Sequence, residues 1–123
     1  MAPGATRRTV LVVDDSDDVR ALIAVALRLR GYQVAQSAGA REALVWLAEN
    51  EQPSLIILDM RMPGMDGRDF LREQERSEEL RAIPVLIYSA EEIMDLAPGP
   101  RRAVVAKTAP LSHMLDQAGK LCG

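Results

Sequence analysis

A single cysteine, Cys122, stands one residue from the end of this 123-residue chain. That leaves no disulfide within the chain and no multi-cysteine metal site. Histidine is equally scarce: His113 has no acidic or nucleophilic neighbour at useful spacing, and is expected to be a surface or half-buried residue and not a catalyst. No apolar run approaches the ~20 residues of a membrane span. Residues 1–8 lack the apolar core of a signal peptide and form a polar lead-in expected to be flexible. The expected compartment is therefore the cytoplasm, with no membrane partner. An excess of positive charge is also missing. The net charge is −3, and a nucleic-acid binder needs a basic footprint. The basic residues number 15, of which only Lys107 and Lys120 are lysine.

What is present is an ordinary globular composition, 48% apolar and 27% charged, in a chain the size of one domain able to bury roughly two-thirds of its unfolded surface. Its organising stretch is Leu55-Ile56-Ile57-Leu58-Asp59, followed by Met60-Arg61-Met62-Pro63-Gly64-Met65-Asp66-Gly67. Four aliphatic residues in a row predict a strand buried on both faces. It ends in a carboxylate, and a Pro-Gly turn then breaks the backbone. Thr9-Val10-Leu11-Val12-Val13 is a second such strand and ends in Asp14-Asp15. Ser16 is placed to cap a helix, with Asp17 and Asp18 in its first turn. Val19, Leu22, Ile23, Ala26 and Leu27 form its apolar stripe, and Gly31 closes it.

A weaker strand is expected over 32–37, because Gln33 and Gln36 interrupt it, and a helix over 40–50. Ala43, Leu44, Leu47 and Ala48 should form the inner face of that helix, with Trp46 half-exposed. A third helix is expected over 67–75, and the polar tail 72–81 reads as solvated. The stretch 83–89 predicts a strand ending in Ser89-Ala90, with Pro84 tolerated near its start. A brief helix over 91–96, a strand over 103–106 ending at Lys107, and a helix over 110–121 complete the chain.

Strand and helix alternate five times, which predicts a doubly wound α/β fold with a five-stranded parallel sheet. Right-handed crossovers put every strand's C-terminal end on one edge, where such sheets carry their sites. Asp14, Asp15, Asp59, Ser89 and Lys107 therefore meet at one rim although they are distant in sequence. Three converging carboxylates repel, and one lysine is too little to neutralise them. Oxygen ligands without histidine or cysteine favour Mg²⁺, with Mn²⁺ possible, over zinc. Mg²⁺ sites of this kind take phosphate oxygens, and an aspartate carboxylate can itself accept a phosphoryl group. Ser89 would donate its hydroxyl to a phosphoryl oxygen, and Ala90 is small enough to leave the mouth open. Arg61 and Glu91, each two residues beyond a site residue, would form an exposed pair at the rim.

Three segments resemble the receiver domain of two-component response regulators: Val10 to Asp15, Leu58 to Gly67, and Ile83 to Ala90. The resemblance runs from about Val10 to the end, with the domain taken as 9–123. It implies a flavodoxin-like fold with strand order 2-1-3-4-5. It further implies a single-domain phosphoacceptor switch that takes a phosphoryl group from a histidine kinase or phosphotransfer protein onto Asp59. Such a switch catalyses its own phosphorylation and slow dephosphorylation and is no enzyme in the ordinary sense. Asp14, Asp15, Asp59 and the backbone carbonyl of Arg61 would hold Mg²⁺, while Ser89 and Lys107 contact the phosphoryl oxygens. Output would pass to a downstream protein, with the chain a monomer or weak dimer.

Three features depart from the family pattern. Val104 stands where an aromatic usually reports phosphorylation. Thr108 replaces the proline that usually follows the lysine. The stretch from Ser89 to Lys107 is shorter than usual by roughly one helical turn. An alternative is a phosphorylation-independent receiver-like interaction module; a metal-dependent phosphohydrolase is a third reading, weakened by the lack of a dedicated acid/base beside Asp59.

Overall fold

A computed structural model of the chain describes residues 8–90 and 101–122. The helix expected over 91–96 and most of the lead-in over 1–8 lie outside the described residues. The elements run β1 (Thr9–Val13), α1 (Asp17–Leu29), β2 (Gln33–Ser37), α2 (Ala40–Glu49), β3 (Leu55–Asp59), α3 (Gly67–Arg76), α4 (Glu78–Arg81), β4 (Val85–Ser89), β5 (Arg102–Ala106) and α5 (Leu111–Cys122). All strand pairings are parallel, in the order β2-β1-β3-β4-β5. This is the flavodoxin-like arrangement, in which the chain reverses its direction of winding next to β1.

The pure aliphatic runs became the interior strands because both faces of a parallel sheet are covered. Every residue of β3 and β4 is buried. The two-residue period of a strand sorts them. Leu11, Val13, Ile56, Leu58 and Ile87 pack against α2 and α3. Val10, Val12, Leu55, Ile57, Leu86 and Tyr88 pack against α1 and α5. β2 lies at an edge, and its two glutamines are exposed there.

Helix ends follow local chemistry. Ser16 accepts a hydrogen bond from the Val19 amide, as its position predicts. Asp66 and Asp69 form a reciprocal capping box at the start of α3, with amide-to-carboxylate distances of 3.0 and 3.1 Å. Gly67, the first residue of α3, sits where a Cβ would meet the Asp59 carbonyl oxygen at 2.8 Å and Met60 Cα at 2.8 Å. Backbone there rests directly on backbone.

Three expectations need correction. The tail 72–81 is not wholly solvated. Gln74 is 4% exposed and donates from Nε2 to the Leu80 and Ile83 carbonyls, at 2.9 and 3.0 Å, which ties α3 to the α4 turn. On α1 the buried residues are Ile23, Ala24 and Leu27, while Val19 and Leu22 are 38% and 59% exposed. The helix overhangs the sheet rim at those two positions, where they border an apolar groove against α5. On α2 the inner face is Ala40, Ala43 and Leu47, with Leu44 half-buried and Ala48 exposed. Trp46 packs half-buried against that side of the core, as expected.

Candidate functional site

β1 runs out of partners at Val13, and the next residue, Asp14, is tied to β2 through its amide and the Ser37 carbonyl, 3.1 Å apart. Asp14 is 1% exposed. Burying a carboxylate so deeply requires donors, and it has them. Oδ1 accepts the Ser16 amide at 2.8 Å, and Oδ2 accepts the Tyr88 hydroxyl. Its carbonyl oxygen accepts Arg20 Nη1 at 2.7 Å. Asp15, one residue on, is exposed.

Asp59 ends the central strand with its side chain 3% exposed. Its Oδ1 accepts the Arg61 amide at 3.2 Å and lies 3.0 Å from Lys107 Nζ. Lys107 is itself anchored through its amide to the Ser89 carbonyl at 2.8 Å. Burial pushes the Asp59 carboxyl above the ordinary aspartate range, against the downward pull of Lys107, with Asp14 adding to the upward push. Asp14, Asp15 and Asp59 each offer a carboxylate oxygen within 4.8 Å of the other two. That spacing, with oxygen donors alone, suits one hard divalent cation.

The rim thus brings together Asp14, Asp15, Asp59 and Lys107 as the sequence predicts. Ser89 is buried at the end of β4, one residue past the Tyr88 that pairs with Asp59. Ala90 is exposed at the mouth. Arg61 is exposed and reaches Asp59 through its amide. Glu91 lies outside the described residues, so the rim pair expected between it and Arg61 has no geometry to report. Val104 is half-buried on the α2–α3 side of the sheet, and no cis peptide bond occurs among the described residues.

One site neighbour carried no expectation from the sequence. Tyr88 reaches Asp14 with its hydroxyl, and its ring lies beneath Lys107, with Nζ 5.1 Å from the ring centroid. Burial and the surrounding carboxylates push its phenol far up, so it stays a donor. The available signal was a lone tyrosine in an aliphatic strand, since a buried phenol needs a partner.

This fold and this acidic rim define a receiver of two-component signalling. A profile of the response regulator receiver domain matches residues 10–99, and the chain belongs to that family. Among its relatives, the two-component response regulator ORR7 of Oryza sativa subsp. japonica is 40% identical over 84 residues, covering 68% of this chain and 40% of the relative. Sporulation initiation phosphotransferase F of Bacillus subtilis is 36% identical over 87 residues, covering 71% of this chain and 68% of the relative. Among solved structures, the signal receiver domain of a histidine kinase from Syntrophus aciditrophicus superposes with a TM-score of 0.84 at 27% identity, covering 94% of this chain and 89% of that one. Chemotaxis protein CheY4 of Vibrio cholerae gives 0.83 at 24% identity, covering 94% and 99%.

Proposed function

We propose that Asp59 is the phosphoacceptor of this receiver and that residues 9–123 form the functional domain. The observation that carries this is the placement of a buried Asp59 3.0 Å from Lys107 Nζ, with Asp14 and Asp15 at metal-sharing distance. Asp14, Asp15, Asp59 and the Arg61 carbonyl would hold Mg²⁺, with Mn²⁺ an acceptable substitute. The cation would neutralise charge among carboxylate and phosphoryl oxygens. Asp59 Oδ1 already accepts two donors, which leaves Oδ2 as the attacking atom. The bond between phosphorus and the donor's histidine nitrogen breaks as the Oδ2–phosphorus bond forms, and the leaving nitrogen keeps the electron pair and takes a proton. Lys107 and the Ser89 hydroxyl would steady the phosphoryl oxygens, and Ala90 leaves the approach open.

The chemistry is positioning and charge neutralisation, with no dedicated acid/base among the described residues. The chain therefore serves as a switch that turns over slowly, in the cytoplasm, supplied by a histidine kinase or phosphotransfer protein and read by a protein partner. Incubation with phosphoramidate and Mg²⁺, followed by intact mass measurement, tests this reading. One phosphate adduct on the wild type is expected, and none on Asp59→Asn or in EDTA. Labelling of Asp59→Asn would sink the assignment, and no labelling of the wild type would favour a phosphorylation-independent interaction module.

A further inference from the structure

We propose that Tyr88 is a positioning residue of the acidic site: it holds Asp14 with its hydroxyl and Lys107 with its ring, and so sets the affinity for the divalent cation. The proposal rests on the reading of Asp59 and its neighbours as a Mg²⁺-dependent phosphoacceptor site.

Topology makes the contact possible. Asp14, Asp59 and Tyr88 share one parity in their strands, so all three face the α1–α5 side of the sheet. Tyr88 stands on β4 and Asp14 just beyond β1, with β3 between them. Strands are about 4.8 Å apart, so the phenol crosses beneath the Asp59 end of β3 to meet Asp14. Packing alone does not call for a hydroxyl, and a buried phenol needs a partner. The other four residues of β4 are Val85, Leu86, Ile87 and Ser89. At 1% exposure the Tyr88 oxygen has given up water, and the acceptor it has gained is a carboxylate of the acidic cluster.

Two consequences follow for Asp14. With the Ser16 amide on Oδ1 and the phenol on Oδ2, each oxygen has one protein donor and one direction left for a cation. The plane of the carboxylate is fixed before any ion arrives. The ring acts separately. A cation within about 6 Å of an aromatic face is attracted by it, and Lys107 Nζ lies at 5.1 Å while also 3.0 Å from Asp59. One side chain therefore touches the negative and the positive member of the site.

The test uses the full chain, unphosphorylated, titrated with Mg²⁺ alone by calorimetry, with melting temperatures recorded in metal-free buffer. Tyr88→Phe keeps ring and volume and deletes the hydroxyl. Its Mg²⁺ affinity is expected to fall by about tenfold or more, the usual consequence of losing a residue that orients a metal ligand. Phosphoramidate labelling of Tyr88→Phe should then need more Mg²⁺ while reaching nearly the wild-type rate at saturation. Tyr88→Leu, which also removes the ring, should lower the saturated rate further; the Phe variant decides the question if the Leu variant does not fold. Affinity of Tyr88→Phe within about twofold of wild type, or tighter than wild type, overturns the proposal. So does a lowered melting temperature with unchanged affinity, which would make the hydroxyl a stability element only. A wild type that neither binds Mg²⁺ nor takes label fails at the earlier reading, and Tyr88's role falls with it.

Discussion

Asp59 shows what burying one carboxylate costs in stability. Its carboxyl is held above the ordinary value chiefly by burial, so the folded protein binds a proton more readily than the unfolded chain. The penalty is absent below the unfolded pKa and grows as pH rises through the folded one. In metal-free buffer at neutral pH, Asp59→Asn is therefore expected to melt higher than wild type. The gap should close below about pH 4. Thermal melts across pH check this, and an Asn variant that melts lower at neutral pH would show that the Lys107 pair outweighs burial. The convergence of Asp14, Asp15, Asp59 and Lys107 at one rim was legible in the sequence, because each ends an apolar strand of a predictable sheet. Tyr88 was not, because its role depends on a contact across two strands that spacing does not encode.

At the level of elements, the stretch 72–81 is the instructive error. Its charges predict a solvated surface, and most of its residues are exposed or half-exposed. Gln74 escapes that pattern because its buried side-chain amide donates to the Ile83 carbonyl and adds a donor to the Leu80 carbonyl, which already accepts the Ile83 amide. Polar satisfaction has no period, so no hydropathy argument finds it. Gln74→Ala should cost about 2 kcal/mol, the penalty for stranding the buried Ile83 carbonyl, with Mg²⁺-dependent labelling of Asp59 unchanged. Chemical denaturation and intact mass, run in parallel, test both halves. The capping box at α3 makes a second case: Asp66→Ala should cost about 1 kcal/mol by denaturation, and no measurable loss would mean that packing alone fixes the helix start. That box has a sequence signal in the three-residue spacing of Asp66 and Asp69, from which no expectation was drawn; the exposure of Val19 and Leu22 on α1 has none, since helical periodicity assigns a face but not how far the neighbouring layer extends.

Across the whole molecule the sheet divides two roles between its faces. Val104 belongs to the α2–α3 side, while Tyr88, Val105 and the α1–α5 pair occupy the other. A switch needs an element with two arrangements, and Val104, β-branched with few rotamers, offers none. Phosphorylation is therefore expected to move mainly the segments that follow Asp59 and Ser89, the second of which lies beyond Ala90 outside the described residues. Backbone amide shifts recorded with and without the phosphoryl group should change most in those segments and least at Val104, Val105 and α5. The opposite distribution would mean that the output face operates without its aromatic.

The seating of Gly67 on the Asp59 carbonyl has a consequence for anyone who maps this protein by mutation. Every other amino acid brings a Cβ into that contact, and the obstacle is main chain, which no neighbouring substitution can trim. A systematic alanine scan will therefore score position 67 alongside the proposed acceptor, Asp59, although the residue has no group to contribute to the reaction. Its loss would lever the end of β3 away from Lys107, a mechanical fault that activity data alone would record as a chemical one.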